Sequence, residues 1–299
     1  MKKNRKDQKG FTLVELSMVI VIVGLLVGGV LVGRDLIEAS KIRNVVSQLK
    51  KIETAKNTFI GKYGALPGDI RNATVFALSA AGANCTDANG DGMADTENPS
   101  GPNGSATLGC NGNADGIMDD VPPGGLPAAR SNFKWEIRNF WYHLQSAGFM
   151  AIGPTTIAAY EAAAPEGNAP GVGFPDTTYS GLGIIYSADL SLATDINYFT
   201  LGATSAPIGG GNSWLLRWTT STTARPSFLP EQAFGVDTIM DDGAPSTGLV
   251  VARDGLSGGQ VPNPVVAGTV GCTTNSGGQT LYNVAYLGGA CLIRVRGGA

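Results

Sequence analysis

Eighteen residues from Leu16 to Gly33 carry no charge, and Phe11-Thr12-Leu13-Val14 extends the apolar character toward the N-terminus. As a helix this run is about 30 Å long, the thickness of the hydrocarbon layer of a membrane. A chain that begins this way must give the segment to lipid or to partner helices, and fold its remainder elsewhere. Before the run stand Lys2, Lys3, Arg5, Lys6 and Lys9 against Asp7, so the first ten residues carry +4 of a net −3 and the rest carries −7. Such a basic leader stays in the cytoplasm and sends the body across. A secretory signal would end in a small-residue cleavage site. Here the run ends in GGVLVGRDL and continues into more helix. One carboxylate, Glu15, interrupts the run near its start, and at a helix centre on insertion scales it would cost about 2.5–3.5 kcal/mol.

The helical pattern continues beyond the apolar run. Ile42, Val45, Val46, Leu49, Ile52 and Phe59 recur on one face, with Lys41, Arg43, Gln48, Lys50, Lys51 and Glu53 around them. A stripe of this kind needs a sheet to cover it. Gly64 and Pro67 stop the helix, so the spacing predicts a spine from Phe11 to about Lys62. Further on, Phe133, Ile137, Phe140, Trp141 and Leu144 predict an amphipathic helix within 131–150. It carries His143, the chain's single histidine, whose expected place is ordinary surface or core. From Gly171 onward short apolar runs broken by Gly, Pro and Asn predict strands at 181–190, 196–203, 212–220, 247–255, 281–289 and 291–299. A short helix is expected before the acidic turn Asp241-Asp242-Gly243.

The expected fold is α+β: a long N-terminal α-helical spine, with a membrane half and an amphipathic half, packed on an antiparallel β-sheet with a large loop-rich insertion. The corresponding segments are a leader at 1–10, a transmembrane and assembly helix at 11–33, and the amphipathic half of the spine at 34–66. The loop-rich insertion spans 67–130, and a helix with an antiparallel sheet and a C-terminal disulfide loop spans 131–299.

Lys9-Gly10-Phe11-Thr12-Leu13-Val14-Glu15 resembles the type IV prepilin motif shared by type IV pilins and type II secretion pseudopilins. The motif and its helix cover roughly residues 1–66. The resemblance implies cleavage between Gly10 and Phe11 by a prepilin peptidase, methylation of the new Phe11 amine, and a mature chain of 289 residues. It also gives Glu15 a role in assembly, pairing with the amine of a neighbouring subunit, since a buried carboxylate is tolerable when paired. The plain alternative sets Glu15 at headgroup level. One departure is the lack of a proline in the membrane half, which instead holds Gly24, Gly28, Gly29 and Gly33. These glycines serve either local melting or close Gly-x-x-x-Gly packing.

Four cysteines, Cys85, Cys110, Cys272 and Cys291, show no C-x-x-C spacing and fall into two local-looking pairs. In an exported body an even count points to two disulfides, although the sequence allows three pairings. The terminal pair resembles the disulfide-bounded end of many type IV pilins. Around the first pair, Asp87, Asn89, Asp91 and Asp95 with Gly92 alternate as Ca²⁺ ligands do in an EF-type loop. Asn98 stands where a bidentate glutamate would close an EF-hand, so the loop is closer to shortened calcium loops. An echo follows at Asn111, Asn113, Asp115 and Asp119. Ordinary Asx and Gly turns use the same residues. The turn Asp241-Asp242-Gly243 is a third cation candidate, because acidic turns near the end of the body also occur in pseudopilins.

One histidine, no Gly-x-Ser-x-Gly and no phosphate-cradling loop give an enzyme little to work with, so no catalytic residues are assigned. An acidic body argues against nucleic acid as a partner, with Lys and Arg clustered only within 34–62 outside the leader. The expected protein is a pilin-like structural subunit of a type IV pilus or type II secretion pseudopilus, of a minor or specialised kind. It would sit as a single-pass protein in the inner membrane, with its body in the periplasm or in an extracellular filament. Its expected partners are other pilin or pseudopilin subunits, the prepilin peptidase and methyltransferase, and an inner-membrane assembly platform. The alternative is a membrane-tethered adhesin or binding module, which would need neither a cleavable leader nor Glu15.

Overall fold

The computed structural model describes residues 12–80, 85, 109–112, 114–118, 135–152, 174–179, 182–188, 196–203, 228–254, 271–287 and 291–297. The chain divides into two compact units, Met1–Ile42 and Arg43–Ala299. One helix, α1 (Leu13–Tyr63), belongs to both. In the first unit its apolar residues from Leu13 to Ile37 stand exposed, as a segment meant for lipid or partner helices does.

In the second unit α1 buries Val45, Val46, Leu49, Ile52, Ala55, Lys56 and Phe59. All the stripe positions expected inside are there except Ile42, which is half-buried. Lys56 was not expected inside. It is fully covered because its stem lies along the apolar face and its ammonium stands 5.6 Å from the Tyr186 ring centroid and 6.0 Å from that of Phe199. Burial holds its pKa below the usual lysine value, with Glu53 opposing. The helix stops at Tyr63 because Gly64 takes φ +75°, a left-handed cap that returns its N–H to the Ile60 carbonyl at 2.8 Å.

The body is built from α2 (Trp135–Ser146), β1 (Leu182–Ala188), β2 (Asn197–Ala203), α3 (Pro230–Met240), β3 (Val250–Asp254), β4 (Thr273–Ser276), β5 (Gln279–Tyr282) and β6 (Cys291–Arg296). Strands β1, β2, β6 and β3 form one antiparallel sheet in that order. Tyr186 and Phe199 face each other across β1 and β2, with ring centroids 4.6 Å apart. Phe140 of α2 packs on both, at 4.5 and 6.4 Å, while Lys56 of α1 lies over the same rings. The spine and α2 therefore cover one aromatic patch of the sheet. Helix α3 packs against β3, β5 and β6.

Most of the expected strands form, with two differences. The run 281–289 is a strand only through Tyr282. There Asn283 turns the chain, donating its N–H to the Cys272 carbonyl and accepting from the Tyr286 N–H. That run belongs to a hairpin of β4 with β5, whose polar first strand, Thr273-Thr-Asn-Ser, has no alternating apolar signal. Gly277 and Gly278, at φ +61° and +83°, supply the two left-handed residues that a tight hairpin turn demands. The expected strand at 212–220 lies outside the described residues.

Two disulfides, Cys85–Cys110 and Cys272–Cys291, settle the pairing among the three that the sequence allowed. The second joins the start of β4 to the start of β6, closing a separation of 19 residues.

Candidate functional site

At the N-terminal end of α1, Thr12 and Glu15 form a reciprocal cap. The Thr12 N–H and hydroxyl both donate to one Glu15 carboxylate oxygen at 2.9 Å, and the Glu15 N–H donates to the Thr12 hydroxyl oxygen at 3.3 Å. This is the capping-box arrangement of Thr-x-x-Glu. A carboxylate in the first helical turn also meets the positive end of the helix dipole. Within one chain, then, Glu15 is not a bare charge in an apolar run.

A second acidic site lies in the body. One carboxylate oxygen from each of Asp69, Asp115 and Glu136 falls within 4.8 Å of the others. Asp69 accepts from the Asp115 N–H at 3.2 Å and the Gly116 N–H at 2.8 Å, one on each oxygen. Burial pushes its pKa up to about 6 against those bonds, and the neighbouring Asp115 charge adds to the rise. Asp115 accepts the Ile117 N–H at 2.8 Å, and Asn111 accepts the Thr74 N–H at 3.1 Å. Asn197 reaches the same strip, donating to the Gly116 carbonyl and accepting from the Met118 N–H. Asn139 brackets the other end, accepting from the Gly109 N–H and donating to the Cys110 carbonyl. Side chains from well-separated parts of the chain thus satisfy much of this strip's backbone, and its Met118 carbonyl accepts the Ala188 N–H of β1. His143 is fully buried on α2 beside it, and its Nδ1 accepts the Gly68 N–H at 2.8 Å. The ring lies parallel to Phe59 at 6.1 Å. Burial lowers its pKa to about 4, so it is neutral near pH 7.

The third site ends α3. Asp237, Asp241 and Asp242 bring carboxylate oxygens within 4.8 Å of one another at a helix C-terminus, where the dipole and the like charges both oppose them. Donors offset this. Asp237 accepts from the Tyr282 hydroxyl at 2.7 Å and the Gly243 N–H at 3.2 Å. Asp241 accepts from the N–H groups of Leu249 and Val250. Asp242 accepts from the Ala244 N–H and the Thr247 hydroxyl. Burial raises the Asp237 pKa to about 6, with the neighbouring Asp242 and Asp241 charges adding to it.

Of the residues singled out in the sequence, Gly10, Phe11, Asp87, Asn89, Asp91, Asp95, Asn113 and Asp119 lie outside the described residues. Asn111 and Asp115 are close in the chain, but each side chain caps a different stretch of backbone. Asp115 instead stands with Asp69 and Glu136, which carry no spacing that links them to it in sequence. Asp237 did leave a signal, lying four residues before Asp241 on a helix. Either acidic group has the hard oxygen chemistry that a divalent cation takes. Asp69, Asp115, Asp237, Asp241 and Asp242 already accept hydrogen bonds from nearby backbone N–H groups and hydroxyls.

Residues 5–31, about a tenth of the chain, match the prokaryotic N-terminal methylation motif. That motif is the signature of type IV prepilins and pseudopilins, and it covers Gly10, Phe11 and Glu15. No curated protein and no solved structure matches the chain. The long helix followed by an antiparallel sheet, with loop-rich regions, is the α+β arrangement consistent with a type IV pilin. The motif therefore supports a processed, structural pilin-like subunit, and with the apolar helix it fits an inner-membrane anchor.

Proposed function

We propose that this chain is a minor or specialised pilin-like subunit, cut between Gly10 and Phe11, methylated at Phe11 and assembled into a type IV pilus or type II secretion pseudopilus. The methylation motif running directly into an exposed apolar helix carries this reading. The retained Glu15 favours a subunit on which another can stack. An adhesin held by a simple anchor has no use for the motif. In the assembled state the Glu15 carboxylate exchanges its Thr12 cap for the Phe11 amine of a neighbour. The prepilin peptidase, the assembly platform and other pilin subunits are its partners on this reading, and the body lies in the periplasm or in the filament.

Mass spectrometry of the native N-terminus tests it: a methylated Phe11 is expected, and an N-terminus beyond Gly33 would refute the reading. Glu15→Ala is expected to be processed normally but to enter filaments poorly, and normal incorporation would remove the pairing role.

We further infer Ca²⁺ as the ion that orders residues 85–120, supported by the oxygen spacing of Asp87, Asn89, Asp91 and Asp95 with Gly92. Ordering glycine-rich chain costs about 1–2 kcal/mol per residue, which metal binding offsets. The full chain should melt higher in millimolar Ca²⁺ than in chelator, and Asp91→Ala should remove most of the difference. A melting temperature indifferent to both would leave ordinary turns.

A further inference from the structure

The body carries two exposed faces of opposite sign. On α1, Arg43, Lys50 and Lys51 line a groove of about 770 Å³ floored by Phe149 and Met150. The three cations are exposed and the two apolar side chains half-buried. Lys62 adds a fourth cation, its ammonium 5.6 Å from the Phe149 ring. These charges cluster within a chain that beyond its leader is net negative. The second face belongs to α3. Glu231, Phe234 and Thr238 follow one another at i, i+3 and i+7 along the helix, Asp242 stands in the turn just past its end, and all four are exposed. Phe234 is 42% exposed and leans on Tyr282, with Ile239 beside the stripe at 47%. An exposed aromatic anchor between acidic ends is the pattern by which a helix enters a groove.

We propose that the Glu231–Phe234–Thr238 face of α3 in one copy, with the Asp242 turn at its end, docks into the Arg43–Lys50–Lys51 groove of the next. Within one body α3 packs on β3, β5 and β6, whereas the groove is walled by α1 and the stretch after α2. Two different patches on the same chain make a heterologous contact, which propagates into an open helical array when the rotation does not close. This rests on the pilin-like reading above and supplies the body-to-body contact that such a subunit uses. The dimensions agree. Glu231 and Thr238 are about 10 Å apart along α3, and Arg43 and Lys51 about 12 Å along α1. Flexible Lys and Arg stems cover the difference. Phe234 then meets Phe149 and Met150, and the acidic ends meet the cations. Duplex nucleic acid is the other ligand of suitable charge, but three or four cations give it only a weak, salt-sensitive hold on a net-acidic chain.

The test is charge exchange in the full-length chain, produced with its peptidase and scored as the fraction of subunit in sheared, pelletable assemblies. Lys50→Glu with Lys51→Glu should lower that fraction at least tenfold, with leader cleavage and both disulfides unchanged. Asp242 also holds its own turn, so the complementary change uses Glu231→Lys and Thr238→Lys; the Thr238 hydroxyl donates only within its helix, to the Phe234 carbonyl. The complementary pair alone should also lose assembly, and all four substitutions in one chain should return it to within about threefold of the wild type. Unimpaired assembly of the groove variant, or failure of the fourfold variant to recover, overturns the contact while the pilin-like reading stands. Retention of a duplex DNA probe by the wild type but not by the groove variant, without recovery in the fourfold variant, assigns the groove to a polyanion and also overturns it. A wild-type chain that is neither cleaved nor assembled refutes the pilin-like reading, and the contact with it.

Discussion

His143 should make the body sensitive to mild acid, and the size of the effect follows from its burial. The imidazole is fully enclosed, and its Nδ1 accepts the Gly68 N–H, which requires the neutral ring. Its pKa is lowered to about 4 from 6.5, burial being the main cause and the Gly109 and Cys110 carbonyls opposing it. The sign is fixed by linkage. Between pH 6.5 and 4 the unfolded chain takes up a proton that the folded chain refuses, so stability is full above 6.5 and falls as pH drops through that window. At about 1.4 kcal/mol for each pH unit, the loss reaches about 3 kcal/mol. Asp69 and Asp237, both raised to about 6, act the other way, because the folded chain takes their protons first as pH falls from 6 toward 3.8. The raw pH profile therefore mixes opposing contributions, and a variant separates them. His143→Gln keeps an acceptor for Gly68 and does not titrate. Urea unfolding of the full chain in micelles, followed by the fluorescence of tryptophans that include the buried Trp141, gives both stabilities. Relative to the variant, the wild type should lose about 2–3 kcal/mol between pH 7.5 and 4.5, roughly 1 M in urea midpoint. Parallel curves for the two proteins across that range would refute the assignment of a buried neutral histidine.

Tyr282→Phe removes the hydroxyl that donates to Asp237 and should cost about 1.5–3 kcal/mol near pH 8. The loss should shrink toward pH 5, as the carboxyl, pushed above about 6 without its donor, becomes neutral in the fold; a pH-independent loss would show that the bond does not serve the charged form. Cys272→Ser with Cys291→Ser opens a loop of 19 residues and should lower stability by about 3 kcal/mol, read from the same urea midpoints. Thr12→Val deletes the cap at the start of α1, worth about 1 kcal/mol, so amide exchange at 13–16 should quicken about fivefold in micelles while exchange in the body is unchanged.

Local pattern was a sound guide wherever a residue's environment is set by its near neighbours. The apolar run, the stripe from Val45 to Phe59, the glycine stop at 64 and the strands around Ile184, Phe199, Val251 and Ile293 all follow from periodicity within one element. The β4 strand did not, because Thr273-Thr-Asn-Ser is polar and becomes a strand only through β5 and the disulfide that begins it. Lys56 reads as a surface residue until two rings from distant strands cover it.

The sequence by itself determined the methylation motif and the membrane-length helix it runs into, all within some thirty consecutive residues. Only the tertiary structure decided the two acidic groups and the opposed faces of the body. Asp69, Asp115 and Glu136 are separated along the chain and meet because α2 and the strip from Gly109 to Met118 both close on the turn after α1. Spacing reports on neighbours within a helix turn or a strand pair, whereas groups brought together by long loops depend on how the elements pack.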